Sequence, residues 1–200
     1  MKIAFLILTE KTNLAKIIVS LEENSVKPDN YIILVNSNTS DANRNISQSL
    51  SGSCCGQTTV LQEDQGYAIF TKDNFIIIEK NTASNTDLMN YAKSILPEDI
   101  EVVFTATSGS IYSKDYIEKV MEKFNDSSIG LVYSDYITDS HPVHLQYIQP
   151  MLSSQINIKE FAVRKSLLLQ NLFKSNSFDF VMDLFSVSII RHIPEELYVT

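Results

Sequence analysis

Ile3-Ala4-Phe5-Leu6-Ile7-Leu8, Leu14-Ala15-Lys16-Ile17-Ile18-Val19-Ser20-Leu21 and Tyr31-Ile32-Ile33-Leu34-Val35 decide the fold. The first and third runs are continuously apolar, the pattern of strands buried on both faces of a parallel sheet. In the second, Leu14, Ile17, Ile18 and Leu21 fall at i, i+3, i+4 and i+7, which makes one apolar stripe on a helix, and Pro28 closes the segment. Residues 1–35 are therefore expected to form a βαβ unit with a right-handed crossover.

Outward from this unit the same alternation continues. Residues 36–65 are rich in Asn, Ser, Thr, Gly and Gln without periodicity and read as one long irregular stretch. Tyr67–Thr71 and Phe75–Glu79 read as strands around a Lys72-Asp73-Asn74 turn. Leu88, Tyr91, Ala92 and Ile95 give a second helical stripe, with Ser84 or Asn85 as its cap and Pro97 as its stop. Val102–Thr105 is the next buried strand, followed by a polar turn over Ala106–Ser110. A helix is expected from Ser113, with Ile117, Val120, Met121 and Phe124 on one face, and then a strand over Ile129–Tyr133. The spacing predicts a loop over His141–Ile158, a strand over Lys159–Val163, helices over Ser166–Lys174 and Phe178–Ile190, and an edge strand at Leu197–Val199. The expected class is α/β: a single open, mainly parallel sheet flanked by helices.

Composition narrows the function. The chain has 200 residues, enough for one domain with a self-sufficient core, and 44% of them are hydrophobic. Its net charge is -8 and its basic residues are scattered, so it has no counterion-release term for a polyanion, and nucleic acid is not expected as a partner. The amino-terminal apolar run lacks a cleavage site and reads as a strand, and no apolar stretch is long enough for a membrane span. The protein is expected in the cytoplasm or as part of a larger particle. Cys54 and Cys55 are adjacent and without metal-ligand spacing, and the sequon at Asn45-Ile46-Ser47 has no secretory context.

Several segments share a further likeness. Thr9-Glu10-Lys11-Thr12-Asn13 follows the first strand, and Asn36-Ser37-Asn38-Thr39-Ser40-Asp41 follows the second. Val102–Tyr116 runs from a strand through a loop into a helix. Ile129-Gly130-Leu131-Val132-Tyr133-Ser134-Asp135, Phe161-Ala162-Val163-Arg164-Lys165-Ser166 and His192-Ile193-Pro194-Glu195-Glu196-Leu197-Tyr198 complete the series. In this order they resemble the family 2 glycosyltransferases, which share the glycosyltransferase A fold and transfer sugars from nucleotide-diphosphate donors.

The resemblance implies one domain over 1–200, with a nucleotide-binding half at 1–135 and an acceptor-side half at 136–200. It assigns Thr9, Glu10, Asn13, Asn36, Asn38, Asp41, Asn90, Thr107 and Ser108 to the nucleotide. Asp135, Arg164 and Lys165 go to the acceptor or phosphate, and Asp183 becomes the catalytic base, with Asp179 second. His192 is a further candidate near the diphosphate. The family holds a divalent cation with an Asp-x-Asp motif; here Ala106-Thr107-Ser108 stands in its place, and hydroxyls do not supply the charge that Mg or Mn requires. Asn36 replaces an Asp that would contact the nucleoside, and Met89-Asn90 stands where Arg-Asn would approach the diphosphate. No metal ligands are assigned, and Mn or Mg is expected to be held weakly at most. His141 and His144 lie three apart in a Pro-containing loop, and a metal site is not expected there. Two functions follow: a glycosyltransferase with weakened or lost metal dependence, or a non-catalytic glycosyltransferase-like module with protein partners in an assembly such as a viral particle.

Overall fold

The computed structural model describes residues 1–9, 14–36, 59–64, 66–80, 84–107, 109–145, 160–171, 180, 183–184 and 186–200. The expectations for Glu10, Asn13, Asn38, Asp41, Ser108, Asp179, the sequon and the two cysteines lie outside the described residues.

The apolar runs at the amino terminus form β1 (Lys2–Thr9) and β2 (Asn30–Asn36), paired in parallel with helix α1 (Leu14–Glu22) between them. Five consecutive residues of β1, Ile3–Ile7, are buried, which requires cover on both faces of the sheet. The sheet continues through β3 (Thr59–Asp64), β4 (Tyr67–Lys72), β5 (Phe75–Lys80), β6 (Ile100–Thr107), β7 (Ile111–Tyr112), β8 (Ile129–Thr138), β9 (His141–Val143), β10 (Ala162–Arg164) and β11 (Ile189–Val199). Helices α2 (Asn85–Ser94), α3 (Tyr116–Lys123) and α4 (Lys165–Gln170) alternate with them. The strand order is β3-β4-β5-β2-β1-β6-β10-β8-β11-β7, with β9 paired to β8.

In this order β5, β2, β1 and β6 run parallel. Strand β10 is antiparallel to both β6 and β8, so β8 and its parallel neighbour β11 share the direction of β6. The carboxyl ends of six strands therefore meet along one edge. One side of the sheet carries a run of aromatic rings: Phe5 stacks on Phe104 at 4.7 Å, Phe104 meets Tyr116 of α3 edge-on, and Tyr112, Tyr198 and Tyr136 extend the contact.

The structure departs from the sequence reading at several points, each with a physical reason. The irregular stretch contains β3, which closes a hairpin on β4. Strand β6 runs on through Ala106 and Thr107, because Glu160 supplies a partner for the Thr107 amide. Helix α3 begins at Tyr116, three residues later than expected. Strand β8 passes Tyr133 and Asp135 to Thr138, then turns at Asp139 and Ser140, both with positive φ, into β9; part of the expected loop is thus a hairpin. The largest change is β11. Residues Ile189–Val199 form one strand between β8 and β7, in place of a helix reaching Ile190 and a short edge strand. Pro194 and Glu195 fit because the register shifts between Ile193 and Glu196, leaving both out of the ladder.

Among the described residues, no helix is long and apolar enough to cross a membrane.

Candidate functional site

In an open α/β sheet, ligands bind at the carboxyl ends of the parallel strands, which makes this edge the candidate site. Register brings Thr9, Asn36 and Thr107 together there: Thr9 pairs with Val35, and Leu8 pairs with Thr107. Thr9 is fully buried and its hydroxyl donates to the Leu34 carbonyl at 2.9 Å, so it holds β1 to β2. The Asn36 amide donates to Asn85 Oδ1 at 3.0 Å, which ties the end of β2 to the first residue of α2. Asn90 is half-buried further along that helix.

Thr107 leads to a residue that sequence reasoning passed over. Glu160, 1% exposed, extends the ladder between β6 and β10 with its side chain. Its Oε1 accepts the Thr107 N–H at 3.0 Å, the Thr107 hydroxyl at 2.9 Å and the Ser110 hydroxyl at 2.5 Å; Oε2 accepts the Tyr112 hydroxyl at 2.5 Å. Burial raises the Glu160 carboxyl above its ordinary value, against the pull of these four donors. Tyr112, Tyr116 and Tyr198 are held well above the usual phenol range by their own burial, with the nearby Glu160 charge adding to it. They stay neutral and able to donate. The Tyr198 hydroxyl is buried beside Glu160.

A second polar group lies on the same edge. Ala162 pairs with both Phe104 and Val132, so three residues further on Asp135 stands level with Thr107, two strand positions away. Alternation along β8 turns Asp135 to the face opposite Tyr136. Asp135 is 2% exposed and fully engaged: Oδ1 accepts the Leu145 N–H at 2.7 Å and His192 Nε2 at 2.6 Å, and Oδ2 accepts His144 Nδ1 at 3.2 Å. The His192 ring stacks on Tyr133 with centroids 4.9 Å apart. Glu196 Oε1 lies 3.6 Å from His144 Nδ1.

Arg164, Lys165 and Asp183 are not brought to this edge. Arg164 donates to the carbonyls of Ile129, Phe124 and Asp126, and Lys165 to those of Pro97 and Glu98. Those carbonyls belong to the turns that precede β8 and β6, at the opposite end of the sheet, so both cations serve as caps there. Asp183 precedes a turn in which the Val187 and Ser188 amides donate to the Leu184 carbonyl. That turn enters β11 beside Ser128, again at the opposite end.

Thr107 spends its hydroxyl and its amide on Glu160, and Glu160 has both oxygens occupied by protein donors. Among the described residues, no group of three or more His, Cys, Asp and Glu side chains is arranged to hold a metal ion. These residues do not fit a divalent cation.

No family model and no curated protein matches the sequence. Solved structures do. TarS of S. aureus, residues 1–349, superposes with a TM-score of 0.67 at 12% identity over 100% of this chain and 60% of that one. The same fragment in complex with UDP-GlcNAc gives 0.64 at 11% identity, covering 100% and 58%. The 4-diphosphocytidyl-2C-methyl-D-erythritol synthase of Anaerococcus prevotii gives 0.58 at 11% identity, covering 96% and 88%. The chain spans 60% of the TarS fragment. At these identities the likeness establishes the fold, that of the nucleotide-diphospho-sugar transferases: a single, mainly parallel sheet flanked by helices, of glycosyltransferase A type.

Proposed function

We propose that the chain binds a nucleotide sugar along the carboxyl ends of β2, β1 and β6 and transfers the sugar without a tightly held metal ion. The observation that carries this reading is the convergence of Asn36, Thr9 and Thr107 on one edge of a fold that TarS shares and in which TarS was crystallised with UDP-GlcNAc. Asn36 and Asn90 serve the nucleotide side, and Asp135 the acceptor side. Glu10, Asn13, Asn38, Asp41 and Ser108 follow β1, β2 and β6 in sequence and complete the donor contacts. The donor half is 1–135 and the acceptor half 136–200. Thr9 acts through position, since its hydroxyl is spent on Leu34.

A second reading rests on Glu160. A carboxylate closed in by Thr107, Ser110 and Tyr112 supports a non-catalytic module whose former metal loop is now a packing element within a larger assembly. Isothermal calorimetry with nucleotide sugars, in EDTA and in Mn, separates the two. Binding of equal strength in both buffers, followed by donor turnover, is the expected result. Silence toward every donor would favour the module.

A further inference from the structure

We propose that His144, held by Asp135, is the base that removes the proton from the acceptor hydroxyl, an inference that rests on the transferase reading above. A carboxylate only accepts hydrogen bonds, so the contact from His144 Nδ1 to Asp135 Oδ2 puts the imidazole proton on Nδ1 and leaves the lone pair on Nε2. The orienting carboxylate is buried and the imidazole is open: side-chain exposure is 3% for Asp135 and 67% for His144. His192 shares the same carboxylate but is 11% exposed, stacked on Tyr133, and donates through Nε2; it fixes Asp135 and does not face an acceptor. The charged groups facing His144 from the packed strands are Asp135 of β8 and Glu196 of β11, and His192 of β11 is bound to the same Asp135. In β9, which His144 directly follows, His141 turns its Nδ1 to the Asp139 carbonyl.

Position supports the role. At the usual strand spacing, two strand positions put Asp135 about 10 Å from Thr107, so His144, in contact with Asp135, stands on the same edge as the proposed donor site. In the step, His144 Nε2 takes the hydroxyl proton as the acceptor oxygen forms its bond to the anomeric carbon. The bond from that carbon to the diphosphate breaks, and the nucleoside diphosphate departs with the electron pair. The imidazolium, stabilised by Asp135 and Glu196, then returns its proton to solvent.

The test uses donor hydrolysis, with water as acceptor, over a panel of nucleotide sugars that includes UDP-GlcNAc, while calorimetry reads donor binding on the same preparations. His144 is exposed, so His144→Gln is compatible with folding, and His141→Gln serves as the control. The expected result for His144→Gln is a loss of turnover of about 100-fold or more, donor affinity within about twofold, and disappearance of the low-pH limb of kcat/KM. Retention of turnover within about threefold, or an unchanged low-pH limb, overturns the inference. Failure of the wild-type protein to hydrolyse any donor that it binds also overturns it, while leaving the binding reading intact. Absence of donor binding defeats the proposed function and the inference with it.

Discussion

At Glu160, burial and hydrogen bonding act in opposite directions. Desolvation favours the neutral acid, and the Ser110, Tyr112 and Thr107 donors favour the anion; burial is the larger influence, so the folded carboxyl titrates above the ordinary carboxylate range. The sign of the stability effect follows. Between the unfolded value and the raised folded value, the native state holds a proton that the unfolded chain has released, so stability falls as pH rises through that window. The slope contributed by one proton is at most about 1.4 kcal/mol per pH unit. Glu160→Gln keeps the shape and removes the titration, so urea unfolding at a series of pH values is expected to show the variant gaining on the wild type as pH rises. Parallel curves would refute the assignment. Nothing local in the sequence marks this residue. It sits between Lys159 and Phe161 in a short strand-like run, and its partners lie 48 to 53 positions away, so only the closed sheet brings them together. Asn36 and Thr107 entered through the family resemblance, Asn36 directly after the second strand and Thr107 in the turn expected after Val102–Thr105; the structure makes each the last residue of its strand. The link between Asp135 and His192, 57 positions apart, was not legible.

Among the elements, legibility tracks burial on two faces. Strands β1 and β2 declare themselves because every side chain in their centres meets apolar cover, and α1 follows from one stripe against them. Strand β11 hides because it lies near the sheet margin: its pattern mixes buried Ile190, Ile193, Leu197 and Tyr198 with exposed Glu195 and Glu196. Asp135 resembled a strand end for a similar reason, since an isolated carboxylate is costly inside a strand unless donors reach it, and here three do. Gly130 in β8 gives a test of how closely these elements pack. A Cβ at that position would fall within 2.5 Å of Leu167 Cδ1, Ser188 Oγ and Ser188 Cβ, so α4 and the turn before β11 crowd directly onto the strand. Leu167 can rotate away, but Ser188 Cβ is fixed to the backbone that starts β11. Gly130→Ala is therefore expected to cost about 1–3 kcal/mol, read from the urea midpoint, and a loss below about 0.5 kcal/mol would mean the contact yields freely.

Across the whole molecule, the sheet divides its chemistry between its two ends. The cations Arg164 and Lys165 are consumed by turn carbonyls at the end where β6 and β8 begin, so they strengthen the frame and leave the ligand edge without their charge. That edge carries Asn36, Thr107, Asp135 and His144, with Glu160 closed beneath it. Among the described residues, a nucleotide sugar bound there meets amides, hydroxyls and backbone donors, with Lys80 paired beside Asn36 as a cation, and its affinity should not depend on a divalent ion. Any ligand that binds only the native state stabilises it by mass action, by about 2.7 kcal/mol at a concentration 100 times Kd. For a domain of this length each kcal/mol raises the midpoint by about 2–4 °C, so the cognate donor is expected to shift thermal unfolding by roughly 5–10 °C. The shift should be the same in EDTA as in Mn, because among the described residues no group of three or more His, Cys, Asp and Glu side chains is arranged to take the ion. A shift that appears only with Mn would replace the metal-independent reading with a metal-dependent one.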